Sequence, residues 1–299
     1  MIDFIKVKIP SLYLEHISKI SFLDFYDPNS VISESGEQIE KKYSKSKSIA
    51  LRAEYDYLTI DISKKGNIIL YGSLHKFWSK GRNDNEFFLS HMIDALLKLE
   101  YNLGIRLDLC IIQNIEISIN LYDLPLSVRL IISGIIGATL NGSKKGIQQF
   151  EKTWTSSKGN YKRCDWSQYN YKIYDKGLHI QKDNQIFRFE VQYKRNEILR
   201  NDLEINTLYD LANPECHARI INSILQKWKT IILYDFGLPD KGKHLEYRNY
   251  HFWKDIEHSK DKLFYHRQRL LKLSNTKGSN INEVISNQMI KMCDRLKDY

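Results

Sequence analysis

Cysteine is scarce and scattered in this 299-residue chain. There are four, Cys110, Cys164, Cys216 and Cys293, and none belongs to a Cys-x-x-Cys pair. That argues against a structural zinc site, a thioredoxin-like centre and a disulfide framework, and fits reduced thiols. No Gly-x-x-x-x-Gly-Lys-Ser/Thr loop occurs, so no nucleoside triphosphate cradle is expected. No internal repeat is visible. The most apolar run, Leu130 to Leu140, is too short to span a bilayer and contains a serine and two glycines. The first ten residues alternate like a strand and lack the apolar core of a signal peptide. A soluble cytoplasmic protein without a membrane partner is expected.

Basic charge is what the chain has in excess. The formal net charge is +9 and the pI about 9.1, a balance that suits a polyanionic partner, nucleic acid above all. The excess is uneven: residues 241–299 hold 13 Lys and Arg against 7 Asp and Glu, a net +6. The length allows one sizeable core, or one domain and an appendage.

Residues 27–48 are polar and read as a surface excursion. Leu58 to Ile62 alternates, Ser63-Lys64-Lys65-Gly66 turns, and Asn67 to Tyr71 returns, which predicts a hairpin. Asn83 and Asp84 are placed to cap a helix over 85–99 with Phe88, Met92, Leu96 and Leu99 inward. A strand is expected over 107–122, a buried helix over 126–140, strand character over 153–172, and strands near 169–177 and 186–194. Pro214 suits the first position of a helix running to about Tyr234. Residues 236–242 read as a boundary, giving a domain over 1–235 and a basic helical region over 236–299. Several cleanly alternating strands predict an α+β fold: a mainly antiparallel sheet with helices on one face.

Three strands carry polar faces of interest, because residues two apart on a strand share a face. In Asn114-Ile115-Glu116-Ile117-Ser118-Ile119-Asn120 the isoleucines point one way, and Asn114, Glu116, Ser118 and Asn120 the other. In Phe187-Arg188-Phe189-Glu190-Val191-Gln192-Tyr193, Arg188, Glu190 and Gln192 share a face. In Tyr171-Lys172-Ile173-Tyr174-Asp175-Lys176, Tyr174 joins Lys172 and Lys176, and Tyr171 points away. Any half-exposed sheet has a polar face, so no single strand implies chemistry. The set matches one reaction, strand nicking by transesterification. Tyrosine is a poor nucleophile at its free pKa of about 10, and a metal or lysine beside it helps remove its proton. Glu116 and Glu190 offer oxygen to a hard cation, Mg²⁺ or Mn²⁺. Lys176 adds positive charge or protonates the leaving 3′ oxygen.

These segments, with the opening Ile2-Asp3, Gly72-Ser73-Leu74-His75-Lys76-Phe77 and Leu208-Tyr209-Asp210-Leu211, run in an order and spacing that resembles the II/X family. That family comprises replication initiators of filamentous phages and related phage or plasmid proteins. More distantly the pattern resembles the trans-acting initiators of rolling-circle plasmids. The resemblance implies an origin-specific, metal-dependent endonuclease and strand transferase of a bacterial host's cytoplasm. Its partners would be single-stranded or supercoiled origin DNA with a host helicase and polymerase. Tyr174 would be the nucleophile, Lys176 its helper, and Glu116 and Glu190 metal ligands, with Asn120 a further ligand candidate. Arg188 would orient Glu190 or contact phosphate. The chain departs from many nicking initiators in having no His-x-His, so its metal site would rest on carboxylates. It has Glu116 where many relatives have Asp, and Asn120 where plasmid initiators tend to have a second acid. One tyrosine on the face gives no two-tyrosine relay.

His75 and Lys76, at a strand end, are candidates to touch phosphate, as are Lys172 and Arg163. The stretch 152–172 interleaves Lys152, Lys158, Lys162 and Arg163 with Trp154, Tyr161, Trp166, Tyr169 and Tyr171, which suits either base stacking or ordinary core. The basic tail, with aromatics among its cations, is expected to add salt-sensitive, mostly non-specific affinity. Two rivals stay open: a non-catalytic single-stranded nucleic-acid-binding module, and a metal nuclease that uses water.

Overall fold

A computed structural model describes residues 2–32, 38–40, 48–139, 146–156, 159–181 and 185–296. The polar stretches 33–37 and 41–47, and Lys158, lie outside the described residues, as do the side chains of Lys152 and Trp154. The chain forms two compact units, residues 1–117 with 193–220, and residues 118–192 with 221–298.

Among the described residues the first unit has the strands β1 (Ile2–Ile9), β2 (Ser30–Ile32), β3 (Gln38–Glu40), β4 (Ile49–Tyr55), β5 (Leu58–Ser63), β6 (Ile68–Ser73) and β7 (Ile111–Leu121), whose residues after Ile117 belong to the second unit. Five pair antiparallel in the order β7-β1-β6-β5-β4. β2 and β3 form a separate antiparallel pair. The expected hairpin is β5–β6, closed where Gly66, at φ +75°, donates its amide to Ser63 O. That left-handed backbone is open to glycine at little cost. β1 buries Ile2, Ile5, Val7 and Ile9 completely.

The helix expected over 85–99 spans Leu89–Leu103, with Leu89, Met92, Leu96 and Leu99 inward and Gly104 in the left-handed region at its end. It starts four residues late because Asn83 is used elsewhere. Its buried side chain donates to both carboxylate oxygens of Asp3, at 3.1 Å each. Phe88 takes the capping position, and its amide donates to His91 Nδ1.

The second unit has β8 (Ile135–Thr139), β9 (Ile147–Gln149), β10 (Glu151–Ser156), β11 (Gly159–Asp165), β12 (Tyr169–Asp175), β13 (Phe187–Tyr193, of which Tyr193 falls in the first unit) and β14 (Ile231–Leu233). β10, β11, β12 and β13 are successive neighbours in one sheet, and β14-β8-β9 form a smaller antiparallel sheet. The ladders with a stated register in both units are antiparallel, so the α+β expectation holds.

Two predicted helices are shorter than expected, for one reason. The 126–140 segment is a helix only over Val128–Gly134 and then becomes β8. The helix from Pro214 stops at Trp228, and Ile231–Leu233 pairs with β8. β-branched residues at 135, 136, 231 and 232 favour the ladder. Gly137 permits the close approach of β9, since a Cβ there would lie 2.8 Å from Ile147 Cγ2 and 2.9 Å from Gln148 O.

Residues 236–296 fall in the second unit. They contribute the helices Tyr250–Ile256, Lys260–Lys277 and Ile281–Arg295. Leu238, Tyr247, Trp253 and Leu270 share a core cluster with Ile147, Ile232 and Tyr234. Asp235, fully buried, fastens this region. Its carboxylate accepts from the amides of Gly237 (2.8 Å) and Ser279 (2.9 Å) and from the hydroxyls of Ser274 (2.5 Å) and Ser279 (2.6 Å).

Candidate active site

In the second unit, Glu190 stands on β13 and is 3% exposed. Its Oε1 accepts from Tyr174 Oη on β12 at 2.6 Å and from Arg188 Nε at 2.6 Å. Lys172 Nζ lies 3.3 Å from Oε2. Strand alternation explains the set: Arg188 and Glu190 are two apart on one strand, and Lys172 and Tyr174 two apart on the next. Arg188 also donates from Nη1 to Asn120 Oδ1 at 3.1 Å.

These polar faces are not solvated. Arg188 is 1% exposed, and Glu116 and Ser118 are buried too. An isolated buried charge costs several kcal/mol, on the order of the penalty that pairing and hydrogen bonds must offset. A buried carboxylate holding a phenol, a guanidinium and an ammonium therefore departs from an ordinary sheet surface. The 2.6 Å phenol–carboxylate bond is a charge-assisted one, the geometry that a general base needs. Tyr174 is half-buried. Its ring lies 5.9 Å from that of Tyr161, which faces it across the β11–β12 ladder, and 5.7 Å, edge to face, from that of His179. Tyr171, its neighbour in the same segment, is fully buried core.

In the first unit, Asp3 and Glu116 are brought onto one side by an irregularity. Ile2 pairs with Ile117 and Phe4 with Glu116, so Asp3 is the extra residue of a bulge. A bulge re-aims the side chain it carries. Asp3 is buried and accepts from Ser73 Oγ at 2.6 Å as well as from Asn83. These two donors fix its orientation.

Several expectations about single residues change. Asn120, a metal-ligand candidate by sequence, accepts on Oδ1 from the Arg188 guanidinium and so positions it. Lys176 is off the strand and buried, the first residue of the helix Lys176–His179, with its amide donating to Ile186 O at 2.7 Å. His75 is 2% exposed, stacks on Phe87 at 4.7 Å and bonds Asn85 Oδ1 through Nε2. It is core, because Leu74–Trp78 is a helix whose inner face includes it, and it is not placed at a solvated strand end. Lys76 is half-buried and its amide takes the Ser73 cap. Arg163 is paired with Asp165, with Nη2 to Oδ1 at 2.9 Å. In the aromatic stretch Trp166, Tyr169 and Tyr171 are core, and buried Lys162 donates to the carbonyls of Ser133 and Ile135. Burial pushes the Cys110 and Cys216 thiols up to about 12 and Cys164 higher still, so none of these thiols competes as a nucleophile.

Sequence reasoning assigned no role to Asp3 or His179. The signal for Asp3 was a lone carboxylate inside an apolar strand; the bulge that turns it had none. His179 follows Tyr174 by five residues, a spacing that means nothing until the strand is known to break into a helix at 176.

No family model and no curated protein matches the chain. Among solved structures it is similar to a rolling-circle replication initiator protein from Geobacillus stearothermophilus, with a TM-score of 0.43 and 10% identity, covering 93% of this chain and 98% of that one. It is also similar, with a TM-score of 0.19 and 10% identity, to DynU16 of the dynemicin biosynthetic locus, over 90% of this chain and 97% of that one. Likenesses at this level carry no argument about function.

Proposed function

We propose that the chain is a rolling-circle replication initiator of the phage and plasmid type. On this reading it is a metal-dependent endonuclease and strand transferase that nicks single-stranded origin DNA through Tyr174. The observation that carries this is the 2.6 Å bond from the Tyr174 phenol to the buried Glu190 carboxylate, with Arg188 and Lys172 at the same group. Tyr174 Oη attacks the scissile phosphorus. Its proton passes to Glu190 Oε1, the P–O3′ bond breaks, and the 3′ oxygen leaves and takes up a proton. The DNA is left with its 5′ phosphate on Tyr174, an ester that keeps the energy needed for rejoining, so no nucleotide cofactor is required. Lys172, on the same strand face as Tyr174 and 20% exposed, supplies positive charge toward the phosphate, a part that sequence reasoning gave to Lys176. Arg188, held by Asn120, keeps Glu190 in place.

In the first unit Asp3 and Glu116 are buried carboxylates, oxygen ligands of the kind a hard divalent cation takes, and we assign Mg²⁺ or Mn²⁺ to them. The donor chemistry fits: both are oxygen ligands, and Ser73 and Asn83 orient Asp3 as outer-shell partners do. Such a cation, when bound, supplies electrostatic stabilisation to the charge on the phosphate. Origin DNA, a host helicase and a host polymerase are the partners on this reading.

The test is incubation with single-stranded DNA of the replicon that encodes the chain, with Mg²⁺ or Mn²⁺. A covalent protein–DNA adduct on a denaturing gel, absent with Tyr174→Phe and with EDTA, is expected. Cleavage without an adduct would favour hydrolysis by water, and binding without cleavage would leave only a binding module.

A further inference from the structure

A cavity of about 940 Å³ opens within the second unit, at the upper end of the size range of ligand pockets. One wall is a single face of the helix Lys260–Lys277. Lys260, Leu263, Phe264, Arg267, Leu271 and Lys272 recur there at three- and four-residue spacing. Trp228 and Lys229 form a second side, and Asn282 and Ser286 of the next helix a third.

Four cations line this cavity against one acid, Glu283, whose Oε2 already accepts from Asn275 at 3.2 Å and Asn280 at 2.8 Å. Among the described residues Lys229, Lys260 and Lys272 have no acidic partner. Arg267 is pinned, donating to Lys229 O at 2.5 Å and to Thr139 Oγ1 at 3.3 Å, and burial holds its pKa below the usual guanidinium value. Phe264 stands among these charges 66% exposed, whereas Trp253 and Tyr247 of the same region are buried. A solvent-facing aromatic ring in a cavity that also presents ammonium groups without acidic partners does not serve the core, and it suits a ligand that has both flat faces and anions.

We propose that this cavity binds single-stranded DNA, stacking a base on Phe264 and placing the flanking phosphates on Lys260, Lys272 and Lys229. Stacking platforms beside cations that follow the backbone are how proteins hold unpaired strands without reading sequence. A duplex keeps its base faces stacked and out of reach. Gln268 on the same wall offers its amide to base edges. The site contains none of the residues of the Tyr174 cluster. It deepens the nicking proposal, and rests on it for DNA as the ligand, by giving the protein a second hold on the strand.

The test is fluorescence anisotropy of a labelled twelve-residue oligothymidylate bound to the full chain in EDTA, where no cleavage competes. Phe264→Ala is expected to weaken binding about tenfold, and Phe264→Trp to preserve it. Lys260→Gln with Lys272→Gln is expected to lower the slope of log affinity against log salt by about 1.4, at about 0.7 per phosphate contact. Far-UV circular dichroism and Tm confirm that the exposed substitutions leave the fold intact. Affinity within twofold of wild type in Phe264→Ala, an unchanged salt slope, or equal displacement by polyglutamate of matched charge would overturn the proposal. If the adduct forms normally but Phe264→Ala binds as wild type, only this site fails. If no adduct forms while Phe264→Ala loses affinity, the nicking reading fails and the strand-binding site stands.

Discussion

His217 gives the fold a calculable weakness to acid. It lies in the first turn of the helix Pro214–Trp228, is 2% exposed, and its Nε2 has no hydrogen-bond partner among the described residues. Burial lowers its pKa from 6.5 to about 4. The sign follows from proton counting. Between these values the unfolded chain binds a proton that the folded chain refuses, so stability falls as pH drops from about 6.5 and levels off below about 4. Each pH unit in that window is worth about 1.4 kcal/mol, which gives about 3 kcal/mol over the whole window and about 2 kcal/mol between pH 7 and pH 5. The perturbation is His217→Leu, which removes the titration and fills a similar volume. Urea unfolding of both proteins at pH 7 and pH 5 isolates the effect, because every other group titrates alike in the two. Wild type should lose about 2 kcal/mol more than the variant over that interval. Parallel pH dependence in the two proteins would refute the reasoning.

Asp235→Ala strands the buried Ser274 hydroxyl, the half-buried Ser279 hydroxyl and two amides and is expected to cost about 3 kcal/mol in urea unfolding, with Asp235→Asn recovering part of it. Gly137→Ala forces a methyl against the Gln148 carbonyl and should destabilise by about 1–3 kcal/mol, read as a drop in Tm. Arg188→Met leaves Glu190 buried without its guanidinium and should cost about 3–5 kcal/mol. Adding Glu190→Leu should recover much of that, a coupling that a double-mutant cycle reads directly. Glu190→Gln keeps the shape but not the proton acceptor, and should lower adduct formation at least about a hundredfold by gel assay.

How legible the site was can be followed residue by residue. Alternation along 169–175 and 187–193 separated Tyr174 from Tyr171 and put Arg188 beside Glu190, because a strand's period of two survives whatever packs on it. The same reasoning misplaced Lys176, since alternation stops where the strand does, and nothing before Asp175 announces the turn into a helix. It also treated the polar faces as solvated. Burial is a tertiary property, and the burial of Glu116 and Arg188 cannot be read from their own segments. The helix limits failed at 135 and 231 because pairing between β8 and β14, which are remote in sequence, outweighed local helical preference. Asp3 was hidden by a bulge, one added residue whose position only the partner strand defines. His75 was misread because its ring finds Phe87, twelve residues on, as a stacking partner.

On the proposed function Tyr174 carries the DNA. The most direct measurement is mass spectrometry of the covalent adduct after nuclease trimming and trypsin digestion. A nucleotide attached to the peptide Ile173-Tyr174-Asp175-Lys176, through the phenol, is expected. A nucleotide found instead on Tyr161 or Tyr171, or the recovery of cleaved DNA with no modified peptide at all, would contradict it.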